Sequence, residues 1–293
     1  MNSSKQRFPV WIRRAWPSGP AHEEVRSLLD GLNLHTVCQS AHCPNQGECW
    51  ARRTATFLIL GNVCTRHCAF CGVQSGAPLP VDPDEPEKVA EAVARLGVRH
   101  TVITSVTRDD LPDGGAAHFA RTIRAVRART PGVTLEVLTP DFEADPETLG
   151  LVAEAAPEIY SHNIETVRRL HPSLRDARYR YNTSLETLRA ARRLMPEAVV
   201  KSGFMLGCGE TEAEALETLA DLRGAGCDAV AVGQYLRPRT GNAPVAEFAP
   251  PERFDRLRDA ALDLGFAFAV AGPFVRSSYH SEDALRARPS GRA

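Results

Sequence analysis

Residues 56–73 read TFLILGNVCTRHCAFCGV. The run 56–60 is apolar, rich in β-branched, aromatic and aliphatic side chains and closed by Gly61, so it predicts a short buried strand. Cys64, Cys68 and Cys71 follow at once, spaced x3 and x2. Positions i, i+4 and i+7 could also form a helical stripe of small buried residues, since free cysteines pack as small hydrophobes. Gly61, Gly72, Arg66 and His67 around them make a poor core, so the reading is a loop that does chemistry at the end of a strand.

Further strands are predicted at 100–105, 133–138, 159–161, 199–204 and 228–232, with helices at 85–96, 116–128, 146–155, 183–194 and 212–223. Strands that alternate with amphipathic helices imply parallel pairing through right-handed crossovers. Six such units predict an α/β fold, a partial (β/α)6 TIM-like barrel open on one side, with a seventh apolar segment, 266–270, pairing at the edge. In parallel barrels the active site gathers at the C-terminal ends of the strands. The Cys64 trio sits at such an end. The expected organisation is one globular unit: a 1–50 N-terminal extension, a 51–285 barrel, and a 286–293 tail (RARPSGRA is its sequence) that is disordered.

A second trio lies upstream, Cys38-x4-Cys43-x5-Cys49. A structural zinc site is normally closed by four protein ligands, whereas a centre that performs chemistry keeps a position open. Each trio is one ligand short, so two incomplete iron-sulfur sites are the leading reading. A zinc site completed by His35 or His42 is the competing one, although x4 and x5 are not the spacings of paired CxxC knuckles.

Composition narrows the class. At 293 residues and 43% hydrophobic content the chain buries a full core. The net charge of −1 provides no basic field for nucleic acid or an anionic membrane. Lys5, Lys88 and Lys201 are the only lysines among 35 basic residues, a skew without mechanistic weight. Eight cysteines in a chain this long, with no continuous apolar stretch in MNSSKQRFPVWIRRAWPSGP, read as metal or redox chemistry in a reducing cytoplasm rather than as disulfides. The early arginines leave an organelle transit segment as the other reading.

CxxxCxxC after a first strand, with Phe70 before the last cysteine, resembles the signature of the radical S-adenosylmethionine (SAM) superfamily. That resemblance implies a [4Fe-4S] cluster on Cys64, Cys68 and Cys71, with its fourth iron free to chelate SAM. It also implies one-electron cleavage to a 5′-deoxyadenosyl radical. The upstream CQSAHCPNQGEC resembles the auxiliary-cluster motif of lipoyl synthases. ITSVTRDDLPDGGAAHF, LEVLTPDFEAD, SHNIETVRRL, KSGFMLGCGET, GQYLRPR and AGPFVRSSYH follow in that family's order, so the likeness runs from about Arg7 to His280.

Several expectations come with the resemblance, among them a barrel of the radical SAM type whose mouth is covered by N-terminal and C-terminal extensions. Two sulfurs are inserted at C6 and C8 of an octanoyl group on a carrier-domain lysine, two SAM molecules are consumed, and the auxiliary [4Fe-4S] cluster is the sulfur donor. The carriers are those of 2-oxoacid dehydrogenase complexes and the glycine-cleavage H protein. A low-potential electron donor and iron-sulfur assembly proteins serve the enzyme. Cys38, Cys43 and Cys49 hold the auxiliary cluster, with Ser278 of the RSSY segment as its fourth ligand. Read without the resemblance, Ser277 and Ser278 are turn or helix-start serines, as Ser281 is before Glu282 and Asp283. Phe70, Gly114, Gly115, Asn163, Glu165 and Lys201 are expected at the cofactor or substrate, Asp113-Gly114-Gly115 at the methionine part of SAM. Arg276 orients the C-terminal segment or contacts the carrier, whereas His162 is structural.

The chain departs from the family at Cys208, where relatives carry an apolar residue, and at Ala69 and Gly72, where many have proline and aspartate. Cys208 and Cys227 belong to neither trio. A biotin-synthase-like sulfur inserter would not combine Cys38, Cys43, Cys49 and Ser278. A two-cluster electron carrier would close each cluster with four cysteines.

Overall fold

The computed structural model describes residues 8–13 and 19–287. Its frame is seven parallel strands: β1 Thr56–Ile59, β2 His100–Ser105, β3 Thr134–Leu138, β4 Ile159–Ser161, β5 Val199–Leu206, β6 Ala229–Gln234 and β7 Phe268–Gly272. They lie side by side in chain order. A two-residue strand, His35–Thr36, pairs antiparallel with β1 and ends the sheet on that side. The predicted partial α/β barrel is thus observed, with the segment expected at 266–270 forming β7.

Helices α1 Pro20–Gly31, α2 Glu85–Leu96, α3 Ala116–Arg129, α4 Pro146–Glu154, α5 Tyr181–Leu194, α6 Glu212–Gly224 and α7 Pro251–Asp263 accompany the strands. Their ends follow local chemistry. Asp145 accepts from the Thr148 backbone N–H ahead of Pro146, and Thr211 with Glu214 forms a reciprocal capping box. Gly97 closes α2 in the left-handed conformation, at φ 66°. Helices α1 and α7, which the strand–helix alternation did not predict, also begin with proline in the first turn.

Two apolar layers lie between sheet and helices. Phe57, Ile59, Ile103, Val137 and Phe119 belong to the layer of the first half, and Val200, Phe204, Val230, Leu219 and Phe254 to that of the second. Side chains alternate across a strand, so the intervening residues of β1 to β6 face the barrel interior. That interior is where the chemistry-bearing residues gather.

The chain on both sides of the barrel returns to it. Short helices Val37–Ser40 and Gln46–Ala51 carry the first cysteine trio. After β7, the C-terminal segment packs against this extension: Asn45 Nδ2 donates to the Phe274 carbonyl at 2.6 Å, and the Tyr279 hydroxyl donates to Glu48 at 3.1 Å. The segment was expected to cover the mouth, yet it also runs inside the barrel, where Ser278 reaches Thr56. Of the expected tail, Arg286 belongs to the short helix Asp283–Arg286 and Ala287 caps it; residues 288–293 lie outside the described residues, as do residues 1–7 and 14–18 of the N-terminal reading.

Candidate active site

The Cys64 loop is fixed by a reversal at the end of β1. Leu60 and Gly61 both take left-handed backbone, φ 67° and 89°. The Leu60 N–H donates to buried Glu85, and Arg108 donates to the Leu60 carbonyl. Beyond this turn the cysteines descend along the strand ends. Two backbone N–H groups, of Arg66 at 3.4 Å and Thr107 at 3.3 Å, donate to Cys64 Sγ. The Asp176 N–H donates to Cys68 Sγ at 3.4 Å. Asn242 clamps the loop from outside by donating to the Ala69 and Cys71 carbonyls.

Five of the six trio cysteines (Cys38, Cys43, Cys64, Cys68 and Cys71) line a single cavity of about 430 Å³ with Ser278 and Phe70. Cys49 does not line it; from helix Gln46–Ala51 it packs against the first-half core. Among the described residues, no three His, Cys, Asp or Glu side chains converge on a position that would hold a single metal ion. His42 is on the cavity wall, and His35 is in the short edge strand.

Burial governs the thiols. It pushes Cys71 up to about 12, against a backbone hydrogen bond from Val73, and Cys38 up to about 11, with nearby Cys43 adding to the rise. Cys68 is raised by burial too, with the Arg175 charge opposing. Such thiols stay protonated at neutral pH unless a cation replaces the proton.

One wall carries two arginines set against carboxylates. Arg66 and Arg175 sandwich the Tyr179 ring, their guanidinium carbons 4.0 and 3.6 Å from its centroid. Arg66 is itself held by Asp109 at 2.8 Å and by buried Asp141 at 3.1 Å. Arg175 donates to the Asn163 carbonyl at 2.8 Å and faces Glu165, which has left-handed backbone at φ 69°. Burial raises the Glu165 carboxyl, and the Arg175 charge works against that rise.

Asn163 and Glu165 are on the cavity wall, as expected. Gly114, Gly115 and Lys201 are not among its lining residues. Gly114 and Gly115 lie in a left-handed turn where a Cβ would press on Phe142 or overlap Leu60, and Asp113 caps the next helix by accepting from Gly115 and Ala117 N–H groups. Lys201 is buried beneath the cavity, where its ammonium pairs with Glu136 at 2.7 Å and donates to the Ser277 carbonyl at 2.7 Å. Ser281, expected at a helix start, instead bonds His100 Nε2 at 2.9 Å. His162 is spent structurally between the Thr139 carbonyl and Ser184. Arg276 is on the wall beside Ser277, and its guanidinium donates to the Val275 carbonyl. Cys208 and buried Cys227 are not on this wall.

Sequence reasoning missed Gly203 and Gly233. A Cβ on Gly203 would stand 3.1 Å from Ser277 Oγ, and one on Gly233 would overlap the Val275 carbonyl. These strands carry glycine so that the C-terminal segment can cross them. Glycine within a strand often marks close approach by another backbone, which is the signal that was present.

Comparison with known proteins places this geometry. Residues 58–222 match the family model of the radical SAM superfamily, and residues 1–43 match that of the N-terminal domain of lipoyl synthase. Among solved structures, methylornithine synthase superposes with a TM-score of 0.56 at 16% identity, covering 85% of this chain and 81% of that one. The FeFe-hydrogenase maturase HydG from Carboxydothermus hydrogenoformans superposes at 0.57 and 13% identity, covering 90% and 78%. These likenesses show the fold. Closer in sequence is the lipoyl synthase of Thermus thermophilus, 52% identical over 275 residues, 94% of this chain and 85% of that protein. That of Rubrobacter xylanophilus is 51% identical over 282 residues, covering 95% and 88%. With identity at this level over almost its whole length, the chain belongs to the lipoyl synthase family of radical SAM enzymes.

Proposed function

We propose that this enzyme inserts two sulfur atoms, at C6 and then C8, into an octanoyl chain carried on a lysine of a lipoyl carrier domain, and that the two cysteine trios divide the work. The observation that carries the division is the shared cavity: cysteines of both trios and Ser278 face one space of about 430 Å³.

Radical SAM membership brings a [4Fe-4S] cluster and SAM. Cys64, Cys68 and Cys71 are the residues that would hold this cluster, which with SAM bound supplies the one-electron cleavage that generates a hydrogen-abstracting radical. The donor set fits. Backbone N–H groups already point at Cys64 and Cys68 sulfurs, the kind of hydrogen bond that tunes cluster potential, and the buried thiols need a cation to ionise. Phe70, Asn163 and Glu165 line the space beside them for SAM.

The second cluster is read here as a substrate, bound by Cys38, Cys43, Cys49 and Ser278 and drawn down as its sulfur enters the carrier. Cys38, Cys43 and Ser278 face the same space, and Cys49 lies one helix behind. A serine oxygen among thiolates is a hard ligand in a soft set, which marks the iron most readily released. In this reading the barrel wall keeps water from the radical, with apolar Leu58, Val106 and Leu138 on the lining. Two SAM molecules are used per lipoyl group. The carriers are those of the 2-oxoacid dehydrogenase complexes and the H protein, in the cytoplasm, with a low-potential electron donor and cluster-assembly proteins completing the cycle. No helix among the described residues is long and apolar enough to cross a membrane. Residues 1–50 act as a cluster-bearing extension of the barrel at 51–285.

The test is anaerobic reconstitution followed by SAM, a strong reductant and an octanoylated carrier domain, with the carrier followed by mass spectrometry. Gain of two sulfurs with loss of two hydrogens is expected. Formation of 5′-deoxyadenosine with no sulfur on the carrier contradicts the lipoyl reading and leaves the radical one standing.

A further inference from the structure

Four inward-facing strand residues that do not line the cavity form a buried polar chain. Glu136, fully buried on β3, accepts from Lys201 Nζ at 2.7 Å and from Ser161 Oγ at 2.8 Å, and its other oxygen is 3.9 Å from His100 Nε2. Strand alternation puts Glu136 on the same face as cavity-lining Leu138, Lys201 on that of Gly203, and His100 on that of Thr104. The chain then reaches out at two points to one segment. Lys201 Nζ donates to the Ser277 carbonyl at 2.7 Å, and His100 Nε2 bonds Ser281 Oγ at 2.9 Å. Between these grips lies Ser278.

A buried ion pair is weak evidence for stability. Its desolvation cost rivals its attraction, and apolar or neutral replacements are often tolerated. What the pair does provide is a single allowed geometry, because an ammonium with three donors and a carboxylate with fixed partners must all be satisfied together. Here two of the three partners of Glu136, Lys201 and His100, lead to the C-terminal segment. The third contact, Ser277 Oγ donating to Asn163 Oδ1 at 2.8 Å, orients the same peptide from the cavity side. Gly203, whose lack of a side chain admits Ser277, completes the seat.

We infer that Lys201 is a positioning residue: paired with Glu136, it latches the Ser277 carbonyl so that the Ser278 oxygen is presented to the auxiliary cluster at one fixed point on the wall. The inference rests on Ser278 being a ligand only for its catalytic consequence; the latch itself is a property of the metal-free chain. The segment is thereby held by the barrel while the iron it contacts is lost and replaced.

The experiment uses the full chain carrying Lys201→Met together with Glu136→Gln, which removes both charges and leaves an acceptor for Ser161. In the metal-free protein, amide hydrogen exchange over residues 275–281 should quicken roughly tenfold or more, as expected for losing a charge-assisted hydrogen bond, while residues 64–71 are unchanged. In the reconstituted protein, the auxiliary-cluster spectrum should change while SAM cleavage to 5′-deoxyadenosine persists. Unaltered exchange over 275–281 overturns the latch, as does a double variant that fails to fold, because the pair would then serve the core. A Ser278→Ala variant with an unchanged auxiliary-cluster spectrum removes the ligand reading alone, and the exchange result still decides the latch.

Discussion

Thr56, at the start of the first barrel strand, donates a hydrogen bond from its Oγ1 to Ser278 Oγ at 2.9 Å, across 222 residues of chain. The strand that delivers one cysteine trio thus also touches the oxygen proposed to complete the other. A donor on that oxygen favours its anionic form, and so its bond to iron.

Thr56→Val keeps the shape and removes the donor. The expected cost in stability is about 1 kcal/mol, the usual worth of one buried hydrogen bond. In the reconstituted protein the auxiliary-cluster spectrum should shift with SAM cleavage retained. A spectrum identical to wild type would count against any influence of Thr56 on that cluster.

Gly233→Ala tests the crossing of the C-terminal segment. A methyl there meets backbone, the Val275 carbonyl, which has no rotamer with which to yield. A loss of about 1–3 kcal/mol with sulfur insertion largely abolished is expected, measured by urea unfolding and carrier mass. Gly150→Ala, in helix α4 with nothing within 4 Å of the new Cβ, is the control and should gain up to about 1 kcal/mol.

Arg66→Met should be among the most damaging single changes in the Cys64 loop. It leaves Asp141, fully buried, without its guanidinium partner and strips one face from Tyr179. Unpairing a buried carboxylate costs about 3–5 kcal/mol. Lys at this position cannot pair with Asp109 and Asp141 together, so Arg66→Lys should recover only part of the loss in thermal midpoint.

Acid sensitivity of the metal-free protein follows from His162 and His171. Burial, with the Arg175 charge adding to it, pushes each imidazole down to about 4. The unfolded chain takes up these protons near 6.5, the folded one only near 4. Their contribution is therefore intact above about 6.5 and fades as pH falls towards 4, by at most about 1.4 kcal/mol per pH unit per group. His162→Gln, which keeps both hydrogen-bond roles, should flatten the fall in urea midpoint between pH 6.5 and 4. An equally steep fall in the variant assigns the sensitivity elsewhere.

The barrel and the cysteine loop were legible because their signals are local. TFLIL, HTVITS and the alternating helices announce themselves within a few residues, and CxxxCxxC carries its chemistry in its spacing. The roles of Lys201 and Ser281 were not legible. An isolated lysine on a strand reads as a cofactor contact until Glu136, 65 positions away, is found against it. Ser281 reads as a cap until His100, 181 positions away, claims its hydroxyl. The same holds for Gly114 and Gly115, whose glycine-rich look matched a cofactor loop but whose space is filled by Leu60 and Phe142. Helix α1 escaped notice because it lies ahead of the strand–helix alternation that begins at residue 56, whereas α7 fills the interval between the strands expected at 228–232 and 266–270, where no helix was expected.

In the proposed reaction the cluster of Cys38, Cys43, Cys49 and Ser278 is spent as sulfur. The most direct measurement reconstitutes the chain with sulfide of a heavy sulfur isotope, removes free sulfide, and runs one turnover on an octanoylated carrier in unlabelled buffer. Both sulfurs in the product should carry the label, and replacing Cys38, Cys43 and Cys49 together by Ala should abolish insertion while 5′-deoxyadenosine still forms. Unlabelled sulfur in the product would contradict the claim.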